Sequence, residues 1–390
     1  MKLYDTAVRD YVQVNPPARV DMYVCGITPY DAAHLGHIFT FMTYDLLQRR
    51  LEDRGHEVRL VRNITDVDEP IYARAKTLGI PYTELACQEV ASFRTTMDKL
   101  GFKRPYAEPS ASEYITHMAD TVQELVERGF GYRVDNDIYF DTSRFPEFGA
   151  LSGFSRHLQM GLAAMRGGDP KRAGKRQPLD FLLWKGIDDA TDPARWETPL
   201  GMGRPGWHIE CSVMASELLD VPFFIHGGGA DLIFPHHSAE VAQSFGMGHA
   251  ELAQHWMHVY PMLSDGEKMS KSLGNLVFAK DLLNDYEPAV IRLALMHYHH
   301  RIGGEWQPEL LKEAEQLLHA FRIASTKASR QHAELLLERV RSALDDDLNT
   351  LEVIDAMQAF IAENIEKPSE PSTRGSDLIA QTLDLLGLAG

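Results

Sequence analysis

Apolar and polar positions alternate over residues 20–25 (VDMYVC), the period of a half-buried strand. The turn GITPYD follows. HLGHIFTFMTYDLLQRRLEDRG then reads as a helix with Ile38, Met42, Leu46 and Leu47 on one face and Gly55 as its stop. EVRLVRNITDV predicts a second strand, so the chain starts with a βαβ unit, a parallel sheet with its crossover on one face. Residues 82–129 carry helical pattern, clearest over 110–129. Residues 130–200 read as an insertion between two halves of the sheet: GYRVDNDIYFDTSRF predicts a short hairpin, and the Gly- and Lys/Arg-rich MRGGDPKRAGKRQP follows. VPFFIHGGGADLIF (221–234) restores a strand that runs into a glycine turn. From Glu305 on, the pattern is amphipathic helix, broken by EKPSEPSTRG (366–375).

The expected fold is therefore α/β. A parallel sheet forms in two halves (1–95 and 201–262), split by the insertion (96–200). A loop and connecting segment (263–304) and a C-terminal helical bundle (305–390) complete it.

Composition narrows the class. With 44% hydrophobic and 24% charged residues in 390, the chain has ample core material and is no disordered or disulfide-scaffold protein. Three cysteines in such a length point to reduced thiols and a cytoplasmic setting. No apolar run approaches the ~18 residues of a membrane span, and MKLYDTAVRDY has no apolar core of a signal peptide. The net charge of −17 weighs against a protein whose main task is gripping a polyanion, although a local basic groove remains compatible with it.

The first turn, CGITPYDAAHLGH, carries the strongest chemistry. His34 and His37 flank Gly36 at a helix start beyond a strand, where free N–H groups and the helix dipole suit a polyphosphate. DGEKMSKSLGN (265–275) places Lys268 and Lys271 in a loop without helical or strand pattern, able to close over phosphate charge. Cys25, Cys211 in GRPGWHIECSVM, His236 beside His237, and Glu240 four residues further on offer a zinc-type donor set. Each feature alone has a plain structural reading as a helix cap, a solvated loop or buried cysteines. The remaining clusters keep that plain reading: Cys87 as a small core residue, HYHH (297–300) as helix near the cleft, and Asp345 to Asp347 as a solvated helix start.

HLGH and KMSKS, in this order on opposite halves of an α/β sheet, resemble the paired signatures of class I aminoacyl-tRNA synthetases. YVCG, GWHIEC and GGGADLIFPHH are similar to the cysteine-activating branch of that family. The resemblance implies a Rossmann-like sheet and formation of cysteinyl adenylate from ATP, with magnesium. It gives phosphate-side roles to His34, His37, Lys268 and Lys271, and a zinc ion on Cys25, Cys211 and His236, with Glu240 as a fourth ligand. It also implies a pocket for cysteine and its adenylate from Cys25, Gly26, Ile27, Thr28, Thr40, Asn63, Ile64, Thr65, Trp207, Gly229, Ala230, Asp231 and Met262. Zinc suits the choice of substrate, because a soft thiolate binds it well and a serine hydroxyl does not.

Two groups in that branch share the activation step: cysteinyl-tRNA synthetases, and the mycothiol-pathway cysteine ligases that acylate the amine of glucosaminyl-inositol. The turn CGITPYD, the segment MRGGDP with Met165 in place of a glutamate, and the short stretch after KMSKS, with no room for an anticodon domain, resemble the ligases. Glu240 instead resembles the tRNA enzymes, leaving three- and four-ligand zinc sites both open. The expected function is ATP-dependent cysteine ligation to an amino-sugar inositol, with small-molecule partners, no membrane and no tRNA. The alternatives are tRNA charging and an inactive, synthetase-like binding protein.

Overall fold

The computed structural model describes residues 1–269, 274–366 and 375–389. The chain opens with a small antiparallel pair, β1 (Lys2–Asp5) and β2 (Asp10–Gln13). Next come β3 (Arg19–Ile27), α1 (Leu35–Asp53), β4 (Glu57–Ile64), α2 (Glu69–Leu78), α3 (Tyr82–Lys99) and α4 (Ile115–Glu127). The central region holds β5 (Gly131–Val134), β6 (Asp137–Phe140), α5 (Arg156–Met165), β7 (Phe181–Gly186), β8 (Trp196–Thr198) and β9 (Gly201–Pro205). The second half runs through α6 (Trp207–Leu218), β10 (Phe223–Gly229), α7 (Ser238–Met247), β11 (Ala253–Val259), β12 (Met262–Ser264) and β13 (Glu267–Lys268). It ends with α8 (Ala279–Leu282), α9 (Pro288–Leu295), β14 (Gly304–Glu305), α10 (Glu309–Ser325), α11 (Arg330–Asp345), α12 (Thr350–Glu366) and α13 (Ser376–Leu386).

The main sheet is parallel, in the order β11-β10-β3-β4. From β3 the chain crosses over to β4 on one side; from β10 it crosses to β11 on the other. The order therefore reverses between β3 and β10, and their C-terminal ends border the crevice where α/β sheets take ligands. An antiparallel sheet, β5-β6-β7-β9-β8, is inserted between the two halves, with β5 and β6 forming the expected hairpin.

Three sequence expectations change. The helical run 82–129 is interrupted: residues 100–110 lie beside β4, where Arg62 and Ile64 donate backbone hydrogen bonds to Ala107 and Pro109. Pro105 and Pro109, which cannot donate into a helix interior, account for the break. Asp345 to Asp347 close α11 instead of opening a helix. Asp347 is buried at a positive φ of 56°, accepts the Tyr4 N–H at 2.8 Å, and faces His299 and His300, which lie beyond the end of α9. Cys87, expected in the core, is exposed on α3.

Helix α1 also exceeds its expected amphipathic stripe, for Gln48, Arg49 and Arg50 are buried along with the apolar face. It packs on the sheet and against α11 and α13, so polar positions are covered as well. Their charges are paired. Asp45 takes Arg292 Nη2 at 2.6 Å and Arg49 Nε at 2.9 Å, and its other oxygen takes the Lys103 N–H at 2.9 Å. Arg292, fully buried, reaches on to the Leu386 carbonyl at 3.1 Å. Burial pushes the Asp45 carboxyl up, but Arg292 and Arg49 outweigh it and hold it below the usual carboxylate range.

Asp45→Ala would leave the Arg292 guanidinium buried without its counter-charge and should cost about 3–5 kcal/mol at pH 7. Because the folded-state value is depressed, the stabilisation is complete above the unfolded value near ~3.9 and is lost as pH falls through the folded one. Urea unfolding at pH 7 and pH 3 should show the gap between wild type and variant narrowing in acid.

Candidate active site

The cleft forms where β3 ends. Gly26 is required there: a Cβ would lie 1.6 Å from the Asn63 carbonyl oxygen, so only glycine lets β3 run so close to β4. The Gly26 N–H donates to Asn63 Oδ1 at 2.8 Å, and Asn63 donates to Thr65 Oγ1 at 3.0 Å. Asn63, Ile64 and Thr65 are buried and stand behind the wall, positioning it from the second layer.

The cavity in front measures about 660 Å³ and is lined by Cys25, Gly26, Ile27, Thr28, His34, His37, Thr40, Trp207, Gly229, Asp231, Met262 and Lys268, among others. Ala230 is not part of this lining. At one end, His34 caps α1, its Nδ1 accepting the Gly36 N–H at 3.1 Å, with its ring 3.9 Å from that of His37. Thr40 donates to the Gly36 carbonyl at 3.0 Å. Lys268 Nζ meets Asp231 Oδ2 at 2.8 Å across the rim, and Arg166 Nη2 holds the same oxygen at 2.5 Å. Burial raises the Asp231 carboxyl, yet Lys268 and Arg166 prevail and bring it down to about 2. Lys271 lies outside the described residues.

At the other end, side chains from four elements converge. Cys25 Sγ lies 3.8 Å from Cys211 Sγ, 3.8 Å from Glu240 Oε1 and 3.3 Å from His237 Nε2. The Nε2 of His236 faces Glu240 Oε1 at 3.1 Å, and its Nδ1 is tied to His208 Nδ1 at 2.9 Å. Trp207 stacks on His236 with centroids 4.3 Å apart. The donor atoms of Cys25, Cys211, His236 and Glu240 all lie within 4.8 Å of one another, the set expected from the sequence. An overlapping set, Cys25, His226, His237 and Glu240, meets the same test.

His226 and His258 are the additions that sequence reading missed. His226 Nε2 meets Glu240 Oε2 at 2.7 Å. His258 Nε2 meets His237 Nδ1 at 2.7 Å, and its Nδ1 meets Thr6 Oγ1 at the same distance. The one visible signal was a histidine interrupting the apolar runs VPFFIH and HWMHV. Glu210, fully buried, was missed too, and burial pushes its carboxyl well up.

Burial drives the imidazoles the other way, His236 and His237 well below the usual value and His208 and His258 to about 3. Neutral rings beside two thiols and a carboxylate are what a metal site needs, since a protonated ring cannot ligate. This buried Cys/His/Glu group could hold a metal ion.

The description of the tRNA synthetases class I (C) catalytic domain matches residues 11–316. The chain belongs to that family. It is similar over its full length to two proteins named L-cysteine:1D-myo-inositol 2-amino-2-deoxy-alpha-D-glucopyranoside ligase. That of Thermobispora bispora is 42% identical, covering 95% of the relative, and that of Thermobifida fusca is 44% identical, covering 94%. Within the family the chain therefore groups with these ligases. Its fold is that of Mycobacterium tuberculosis methionyl-tRNA synthetase, with a TM-score of 0.63 at 15% identity, covering 95% of this chain and 90% of the other.

The two signature histidines should be neutral in the free protein. Burial comes first for both; the neighbouring His37 and Lys268 charges add to it for His34, and Lys268 for His37, bringing them to about 2 and about 4. Ring nitrogen shifts read by NMR at pH 6 should show neutral imidazoles at both positions, and a charged ring at either would contradict the burial seen here.

Proposed function

We propose that the chain activates L-cysteine with ATP and passes the cysteinyl group to the amine of an amino-sugar inositol, releasing AMP and pyrophosphate, in the cytoplasm. One observation carries the reading: the buried thiol, imidazole and carboxylate cluster reaches, through Cys25, the same cleft as His34 and His37.

The donor chemistry fits zinc, with Cys25, Cys211 and His236 as ligands. Glu240, gripped by His226, either completes the set or fixes His236. Zinc bound there would supply a soft acid that favours a substrate thiolate over a hydroxyl. Trp207, flat on His236, walls the pocket for the amino acid. With the cysteine placed at that end, its carboxylate points toward the α1 N-terminus, where the phosphates of ATP belong.

Activation forms a bond from carboxylate oxygen to the α-phosphorus and breaks the bond to the β-phosphate oxygen. His34 and His37, neutral, donate N–H bonds to phosphate oxygens, while Lys268 and Lys271 bring positive charge as pyrophosphate departs. Lys268 must let go of Asp231 to do so. The acceptor amine then attacks the carbonyl carbon and AMP leaves. Proximity supplies much of the second rate, so the protein needs no nucleophile of its own. The −17 net charge fits a small acceptor better than a long phosphate surface.

Purified protein should show cysteine-dependent exchange of pyrophosphate into ATP, and mass spectrometry should find the cysteinyl amide of glucosaminyl-inositol. Efficient charging of cysteine tRNA with no turnover on the amino-sugar would overturn the assignment. Lys271→Ala should slow activation by on the order of 10²-fold while cysteine binding changes little. Metal analysis should find about one zinc per chain, because a three- or four-ligand set makes one site. Cys211→Ala should lose most of it, and undiminished zinc would remove Cys211 from the ligand set.

A further inference from the structure

A second cavity of about 450 Å³ adjoins the first, within the roughly 300–1,000 Å³ range of small-molecule sites. The two share Asp68, Glu69, Arg166, Gly167 and Trp207, so one opens into the other. Its far wall belongs to the inserted antiparallel sheet and to the segment MRGGDP.

The wall has the make-up of a polyol site. Tyr139, Phe181 and Leu182 make this wall partly apolar. Asp137 and Asp169 offer carboxylate oxygens, and Arg172, paired with Asp137 at 2.9 Å, and Lys175 offer N–H groups, both over the Tyr139 ring at 5.5 Å. Hydroxyl groups both donate and accept, so a wall of mixed sign satisfies them where a wall of one sign would not.

Asp68 stands at the junction. It caps α2, one oxygen accepting the Glu69 N–H at 2.8 Å and the other facing Thr28 Oγ1 at 3.4 Å. Resting on the activation reading above, we propose that this cavity is the acceptor subsite. It takes an uncharged amino-polyol along the inserted sheet and sets the amine against Asp68, at the mouth of the adenylate cleft.

In the transfer step the amine nitrogen forms a bond to the carbonyl carbon. The carbon–oxygen bond to AMP breaks, AMP carries away the electron pair, and the nitrogen gives up one proton to the Asp68 carboxylate. Burial holds that carboxyl up at about 6, the Glu69 charge adding to the effect and Arg204 opposing it, which suits a proton acceptor near neutral pH.

Two variants outside the first cavity test the subsite. Asp169→Asn removes a wall carboxylate that accepts the Lys171 N–H at 3.0 Å in its own loop, and Leu182→Trp fills the space. Each should raise the KM for glucosaminyl-inositol tenfold or more while cysteine-dependent pyrophosphate exchange stays within twofold. Asp68→Asn should lower the kcat of amide formation and remove its acid-side pH dependence. Normal exchange and an unchanged acceptor KM in Asp169→Asn would overturn the subsite and leave activation standing. No exchange in the wild type would overturn both. If Leu182→Trp loses exchange as well, it reports a packing defect, and Asp169→Asn decides.

Discussion

The reversal of strand order between β3 and β10 is the constraint from which the cleft follows. Two parallel strands that pair with each other, yet send their crossovers in opposite directions, leave a crevice at their shared C-terminal edge. Cys25 and Gly26 come from one strand end, and Gly229 from the other. Glycines at this edge keep the backbones close, and the space that side chains would have filled becomes the cavity. Metal-type donors and phosphate-type donors can then face one ligand from its two ends, each group drawn from both halves of the chain.

Much of this was legible because it is local. The strand, turn and helix around HLGH, the hairpin after Gly131 and the strand before GGGAD show in periodicity and glycine placement alone. So does the i, i+4 pairing of His236 with Glu240. What periodicity could not show is nonlocal. His226 and His258 read as polar interruptions of strands until the sheet places them against Glu240 and His237. Asn63 and Thr65 sit at a strand end and so looked like ligand contacts; the fold buries both, outside the cavity lining, with Asn63 holding the Gly26 N–H. Asp347 sits in a run of three acids that reads as solvated, yet its own backbone turn buries it against the first strand.

The family assignment and the geometry bear on different parts of the protein. Similarity over the whole chain places it with the cysteine ligases, while the buried thiols, neutral rings and carboxylate form a group that could hold a metal ion. Neither alone would suffice. A fold shared at 15% identity with a methionyl enzyme is compatible with many amino acids, and a Cys/His/Glu cluster by itself is compatible with a purely structural ion.

Helix α1 is buried on nearly every side, and its charged positions are bolted to neighbours. Arg50 reaches Asp345 at the end of α11, Arg49 reaches the Asp384 carbonyl, and Asp45 connects through Arg292 to Leu386. The helix whose first turn presents His34 and His37 therefore has no freedom to slide or tilt independently of α13. In mechanical terms the last helix is the anvil against which the phosphate end of the cleft is held, and the rigidity of that end is set some 340 residues away along the chain.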